Sequence, residues 1–226
     1  MSTSLKSRLR QFEHAMRDRF GASIATPRDR RRAWWHFQLM DHAFLRVLWW
    51  NLAEFAPGAW RANQPSARQI ARYAQRGIKT IINLRGDGRF SPLLFEEEAC
   101  EKAGITLVTL RFSARRLSPR ADMLDLVNVM RAAEKPFLIH CKSGSDRTGL
   151  AAALYLAIVE RQPVAKARQQ LHWRYLHLSS TDTGVLDYVF DAYERDTVDS
   201  PMTVLQWLET RYNGEALMKE WKAKRS

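Results

Sequence analysis

"FLIHCKSGSDRTGLAAALYLAIVE", residues 137–160, sets a short apolar run, a loop of small and polar residues around one cysteine, and an apolar segment of helical length in that order. Residues 137–140 read as a buried strand, and the segment from Thr148, apolar nearly all round, reads as a helix packed inside the fold. A buried strand that runs through such a loop into a helix N-terminus gathers backbone N–H groups at one point, which makes a site for an anion. That position also lowers the pKa of a cysteine, from about 8.5 to somewhere between about 3.5 and 7.5. Cys141 is therefore expected as a thiolate at neutral pH, an activated nucleophile.

Working outward, the alternation of strand and helix repeats. A strand is expected near residues 59–62, a helix over 66–76, a buried strand in "IKTIINL" (78–84), a helix over 92–103, a strand in "GITLVTL" (104–110) and a helix over 119–134. Strands separated by helices of this length argue for an α/β fold, with a mainly parallel central sheet flanked by helices. Further helices are expected near 164–171, 183–194 and 203–211. Composition divides the chain into a basic, Trp-rich helical extension (1–56), a central domain (57–200) and a C-terminal helical tail (201–226) packing on that domain.

Among the 226 residues, 36 are Lys or Arg and 24 are Asp or Glu, a net charge of +12 that favours anionic partners. Helix-turn-helix, RNA-recognition and zinc-finger patterns are absent, so nucleic acid is not an expected partner. The two cysteines, Cys100 and Cys141, fall in no CxxC or CxxH spacing. Neither a disulfide framework nor a metal site is expected, and a reduced, cytoplasmic setting fits. The first twenty residues do not read as a secretory signal. The longest apolar run, 150–159, is about half of the roughly 20 residues that span a bilayer.

Arg147, six positions after Cys141, can curl back so that its planar fork takes two phosphate oxygens, where a lysine would bring charge without the fork. The hydroxyl of Ser143, Ser145 or Thr148 can hydrogen-bond the thiolate, with Thr148 foremost because it follows the arginine. The pattern His140-Cys141-x5-Arg147-Thr148-Gly149 resembles the signature of the cysteine-based protein tyrosine phosphatase superfamily, in its dual-specificity-like branch. "WRANQPS" (60–66) and "IINLRG" (81–86) are similar to the first strand and turn and the second strand of bacterial and fungal members. The resemblance implies a dual-specificity-phosphatase-like fold and two-step hydrolysis of a phosphate monoester through a cysteinyl-phosphate, with no metal or other cofactor. It implies Cys141 as nucleophile, Arg147 as phosphate clamp, loop amides from Lys142, Ser143, Gly144, Ser145 and Asp146, Thr148 assisting the departing thiolate, and His140 ordering the loop. A catalytically inactive phosphate-binding module and a rhodanese-like sulfur transferase are the alternatives. The presence of Cys141 and Arg147 speaks against the first, and the Thr-Gly after the arginine against the second.

Many members carry an aspartate general acid on a mobile loop well upstream of the cysteine. Here that region, "LRFSARRLSPR" (110–120), lacks a carboxylate anywhere between Glu101 and Asp122. Asp146, inside the loop, is the expected replacement; some lipid- and phosphoinositide-directed members also place an aspartate just before the arginine. Asp146 can instead brace the loop by an ion pair or cap the next helix. Asp87, in the Gly-flanked turn "RGDGRF" (85–90), is a third candidate. Arg115 and Arg116, with Lys142, are expected to receive a substrate with more than one anionic group or one at an anionic surface, unless they are simply solvated. The substrate is thus either a phosphorylated protein or an anionic phospholipid, phosphoinositide or lipid-linked phosphate.

In "RRRAWWHFQLMDHAFLRVLWWN" (30–51), Trp34, Trp35, Phe37, Phe44, Trp49 and Trp50 follow a basic cluster at Arg28 and Arg30 to Arg32. The mix suits a membrane-surface helix. It also suits a layer of added core on the domain, the reading favoured here. A basic amphipathic helix over 5–20 can still touch the inner face of a membrane peripherally. Cys100, in "EEEACEKAG" (96–104), is expected to face the core, with a reversible disulfide to Cys141, as in some family members, as the alternative.

Overall fold

The computed structural model describes Met16 and residues 20–88 and 90–225, the side chain of Val47 excepted; most of the helix expected over 5–20 lies outside the described residues. Five strands, β1 (Ala53–Ala56), β2 (Ala59–Ala62), β3 (Thr80–Asn83), β4 (Thr106–Thr109) and β5 (Phe137–His140), form one sheet in the spatial order β1-β2-β5-β3-β4. Only the β1–β2 hairpin is antiparallel. The flanking helices are α1 (Pro27–Trp35), α2 (Ala67–Gln75), α3 (Ser91–Ala103), α4 (Arg120–Ala132), α5 (Asp146–Ile158), the short α6 (Val164–Ala167), α7 (Tyr188–Thr197), α8 (Val204–Thr210) and α9 (Gly214–Ala223). The expected mainly parallel sheet between helices is present.

Central strand β5 is buried on both faces, which is why it reads as a continuous apolar run rather than an alternating one. Its period of two still operates. Phe137 and Ile139 join Ile82 of β3 and side chains of α4 and α5 in one core layer, while Leu138 joins Ile81, Ile70 and Cys100 in the other. Ala62, His140 and Asn83 are level across the three neighbouring strands. The residues that follow each of them therefore leave the sheet at one C-terminal edge, where parallel α/β sheets commonly take their ligands.

The structure differs from the sequence reading at several borders. β1 lies within residues 53–56, so the sheet begins four residues inside the segment grouped with the extension, because the chain pairs back on β2 across Gly58. The helix expected over 164–171 is α6 followed by a 3-10 turn at Arg168–Gln170, and a second such turn, Asp182–Val185, precedes α7. A Cβ at Gly184 would stand 1.9 Å from the Ser179 carbonyl oxygen, a backbone approach that glycine alone allows.

α1 is opened by Thr26, whose hydroxyl accepts from the Asp29 N–H at 3.1 Å, with Pro27 in the first helical turn. It leads into a π turn, His36–Met40, that docks on α3: His36 meets Ser91 at 2.8 Å, the Phe37 and Phe95 rings lie 6.0 Å apart, and Arg30 pairs with Glu98 at 2.7 Å. Ala33, His36 and Phe37 are buried there, whereas Trp34 and Trp35 stay 47% and 53% exposed. The added-core expectation thus holds for Phe37 and not for that tryptophan pair. At the other end, Trp207 of α8 is fully buried with its indole N–H on Asp196, 2.9 Å, and the Tyr212 hydroxyl donates to the Ser118 carbonyl at 2.7 Å. No helix among the described residues is long and apolar enough to cross a membrane.

Candidate active site

Between β5 and α5 the carbonyls of four successive loop residues are each engaged from outside. That of Lys142 accepts from the Gln64 N–H at 3.3 Å, that of Ser143 from Asn51 Nδ2 at 2.9 Å, and that of Gly144 from Arg61 Nη2 at 2.7 Å. The Ser145 carbonyl accepts from Arg61 Nη2 at 3.3 Å and from the Gly149 N–H at 2.8 Å. In a planar trans peptide the N–H opposes the C=O. The N–H groups of Ser143, Gly144, Ser145 and Asp146 therefore turn the other way, that of Gly144 toward Cys141. Gly144 has φ +73°, and a Cβ on it would lie 2.6 Å from the Ala62 carbonyl oxygen, so the turn requires glycine.

Cys141 is 1% exposed. Burial by itself would raise its pKa, but the Arg147 charge, the Thr148 hydroxyl and the N–H groups of Thr148 and Gly144 outweigh it and hold the thiol below its ordinary value. The Thr148 hydroxyl has no nitrogen or oxygen partner in competition with the sulfur. Arg147 rests Nη1 on the Leu84 and Phe112 carbonyls at 3.3 and 3.5 Å, and its buried Nε has no partner among the described residues, a donor suited to an anion's oxygen.

Behind the loop, His140 Nε2 sits 2.6 Å from Glu96 Oε1, both side chains fully buried. Glu96 Oε2 accepts from Gln64 Nε2 at 3.0 Å and from Asn83 Nδ2 at 3.2 Å. The network passes through Gln64 to Arg85, 2.8 Å, and from Arg85 to Asp41, which also receives Arg46 at 2.7 Å and lies 3.6 Å from Lys142 Nζ. Burial would raise the Asp41 pKa, yet Arg85, Arg46 and Lys142 together lower it.

Asp146 Oδ1 meets His177 Nδ1 at 2.8 Å, and His177 Nε2 meets Asp187 Oδ2 at 2.7 Å. Asp146 thus precedes Arg147 in the chain and is braced by a buried imidazole. Ser143 and Ser145 face each other at 3.1 Å between hydroxyls. Asp87 is on the surface, paired with Arg111, whose hydrogen bond and charge lower its pKa. Arg115 and Arg116 are exposed on the loop that begins at Phe112, the residue whose carbonyl receives Arg147. Cys100 lies in the core layer opposite Cys141, and burial, with the Glu96 charge, pushes its thiol up to about 12.

A family model described as DSP-PTPase phosphatase fused to NAD+ kinase matches residues 53–184, more than half of the chain. The chain belongs to this DSP-PTPase family. The dual specificity protein phosphatase TpbA of Pseudomonas aeruginosa (strain UCBPP-PA14) is 30% identical over 112 residues, 49% of this chain and 48% of that protein. The mouse protein tyrosine phosphatase domain-containing protein 1 is 31% identical over 112 residues, 44% of this chain and 15% of that one. The chain spans about half the length of the TpbA relatives it matches. Among solved structures, a cysteine-to-serine variant of P. aeruginosa TpbA in complex with pTyr matches with TM-score 0.50 and 25% identity, over 59% of this chain and 80% of that one. A second TpbA structure, at TM-score 0.51 and 22% identity over 76% of this chain and 91% of that one, supports the fold.

Sequence reasoning missed the residues that hold the DSP-PTPase loop from a distance: Arg61, Gln64, Asn51, Glu96, Asp41, Arg46 and His177. Arg61 and Gln64 fall in "WRANQPS", which the family resemblance singled out as a strand and turn without giving either side chain a role. For His177 there was no local signal, since its partners lie 31 residues upstream and 10 downstream.

Burial alone would lower the His177 pKa, but hydrogen bonds and charge from Asp146 and Asp187 raise it from 6.5 to about 9. A histidine raised in this way contributes stability that is complete below about pH 6.5 and fades as pH rises through about 9. His177→Gln is expected to lower Tm by roughly 6 °C or more at pH 6. That gap from wild type should close by about pH 10 in thermal melts, whereas a gap independent of pH would rule out an imidazolium between the two carboxylates.

Proposed function

We propose that the protein hydrolyses phosphate monoesters by way of a cysteinyl-phosphate. One observation carries the reading: a buried cysteine, its thiol held below its ordinary pKa, lies beside loop amides and the Nε of Arg147, which has no other partner among the described residues. The amides and the Arg147 fork bind the phosphoryl oxygens and set phosphorus in line with sulfur. Sulfur attacks phosphorus, the bond to the leaving oxygen breaks, and that oxygen takes a proton. Asp146 is the carboxylate nearest in sequence to Arg147 and is the proposed acid, passing on the proton that His177 holds against it; in the second step it accepts a proton from the attacking water and returns it to His177. Water then displaces the sulfur, which takes the electron pair of the broken bond, and the Thr148 hydroxyl donates to the thiolate so formed.

Phosphorylated protein is the first substrate reading, supported by the name of TpbA as a dual specificity protein phosphatase and by its complex with pTyr. A specific observation favours a second, an anionic phospholipid or lipid-linked phosphate. Phe44, Leu45, Leu48 and Trp49 are 38–88% exposed, and Trp173, Leu176 and Leu178 50–69%. The two segments meet at Asn51, which donates to both Ser143 and Tyr175, so the apolar rim adjoins the loop. Exposed apolar side chains on a strongly basic chain suit peripheral contact with an anionic membrane, and Arg115, Arg116 and Lys142 would face its headgroups.

Turnover of p-nitrophenyl phosphate is expected to vanish in Cys141→Ser; absence of turnover in the wild type would leave a phosphate-binding module instead. Asp146→Asn should slow an alkyl phosphate by roughly 100-fold or more and p-nitrophenyl phosphate, whose leaving group needs no proton, far less. Equal slowing of both would remove Asp146 as the acid. Phe44→Ser combined with Leu48→Ser should weaken cosedimentation with phosphatidylglycerol vesicles by roughly 10-fold or more, with p-nitrophenyl phosphate turnover unchanged. Vesicle binding equal to wild type would leave the phosphoprotein reading alone.

A further inference from the structure

Residues 41–51 precede the segment matched by the family, yet they are built into the loop. Asn51 holds the Ser143 carbonyl, while the Trp50 carbonyl accepts from the Asn63 N–H at 2.9 Å and the Trp49 carbonyl from Asn63 Nδ2 at 2.5 Å. The same stretch brings in a cation. Arg46 donates Nη1 to the Asp41 carbonyl and Nη2 to its carboxylate, both at 2.7 Å, and its guanidinium lies 5.4 Å from the Phe37 ring centroid. Arg85 grips the same carboxylate through both terminal nitrogens, at 2.5 and 3.1 Å, and Lys142 completes the group at 3.6 Å.

A single carboxylate among three cations is not a balanced ion pair. Asp41 makes burial of the two guanidiniums tolerable, since a buried charge without a partner is costly, but it leaves a surplus of positive charge beside the nucleophile. Arg46 and Lys142, the residue that follows Cys141, share the Asp41 carboxylate, at 2.7 and 3.6 Å, which sets the Arg46 charge one side chain away from the cysteine's own neighbour.

We propose that Arg46, presented by Asp41, is a positioning residue of the active site: a fixed cation from outside the family's segment that holds Cys141 as thiolate and strengthens the loop's grip on a dianion. Its effect on the dianion rests on the phosphatase reading; its effect on the cysteine does not. The charged groups around Cys141 are Arg147 from α5, Arg61 from β2, the His140–Glu96 pair of β5 and α3, Lys142 of the loop, Arg85 after β3, and Arg46 with Asp41 from the extension. Of these, Arg46 and Asp41 carry opposite charge on the same segment. Removing each should therefore move the cysteine's ionisation in opposite directions, which a general loosening of the site would not do.

The test is the pH dependence of Cys141 alkylation by iodoacetamide in the full chain, read on the Cys141 peptide by mass spectrometry. Arg46→Gln should raise the midpoint by about half to one pH unit, and Arg46→Lys should return most of it. Asp41→Asn, which keeps the side chain's shape, should lower it. An unmoved midpoint in folded Arg46→Gln, or a midpoint raised by both Arg46→Gln and Asp41→Asn, overturns the proposal. Should Arg46→Gln fail to fold, Asp41→Asn decides alone: a lowered midpoint supports the proposal, an unmoved or raised one overturns it. Alkylation needs no turnover, so its result stands apart from p-nitrophenyl phosphate kinetics, where Arg46→Gln should raise KM more than it lowers kcat.

Discussion

The guanidinium of Arg61 is the constraint on which the loop depends. It is fully buried with no carboxylate to meet it, and its charge is answered by the carbonyls of Gly144, Ser145 and Gln170, the Gln170 side chain and the face of Tyr175, 3.6 Å away. Burial brings its pKa down to about 10, opposed by the charges of Tyr175 and Cys141, so it remains a cation at neutral pH. A buried cation satisfied mainly by neutral acceptors needs those acceptors turned toward it. Turning the loop carbonyls outward turns the amides inward, and inward amides are what make the hollow fit for a thiolate or a phosphate.

Convergent N–H groups repel one another unless an anion sits among them. An anion at Cys141 relieves that repulsion, and the lowered pKa of its thiol is the electrostatic counterpart of the loop's shape. The surrounding ions are arranged to the same end. Asp41 is gripped by Arg46 and Arg85 and lies 3.6 Å from Lys142, the residue after the cysteine, so three cations share its charge. At the low effective dielectric of a buried site such an order matters more than the net charge of the chain.

Local patterns carried the fold. The apolar runs of β3 and β5, the loop between β5 and α5 and the cysteine-to-arginine spacing are contiguous in the chain, and each was legible there. What sequence could not carry was the partner of each loop carbonyl. Arg61 meets Gly144 across 83 residues, Asn51 meets Ser143 across 92, and Asp146 meets His177 across 31. Each of these side chains is also unremarkable where it stands: a single arginine in a short strand, an asparagine after two tryptophans, a histidine between leucines. Their roles arise from the level register of β2, β5 and β3, which only the folded sheet supplies. The borders misjudged at β1 and α6 have the same origin, since a hairpin partner and a turn against neighbouring backbone decided them rather than intrinsic propensity.

The loop is therefore held from two sides that are distant in sequence. Asn51 and Asp41 reach it from the extension, His177 reaches it from the segment after α5 and Gln170 and Tyr175 back its Arg61, and Asn51 joins the two by donating to Ser143 and Tyr175 alike. These two segments also carry the exposed apolar side chains of the rim. The segment that carries that rim is also the one whose Asn51 fixes the Ser143 carbonyl. Contact at the rim and order in the loop then share one set of hydrogen bonds, those of Asn51.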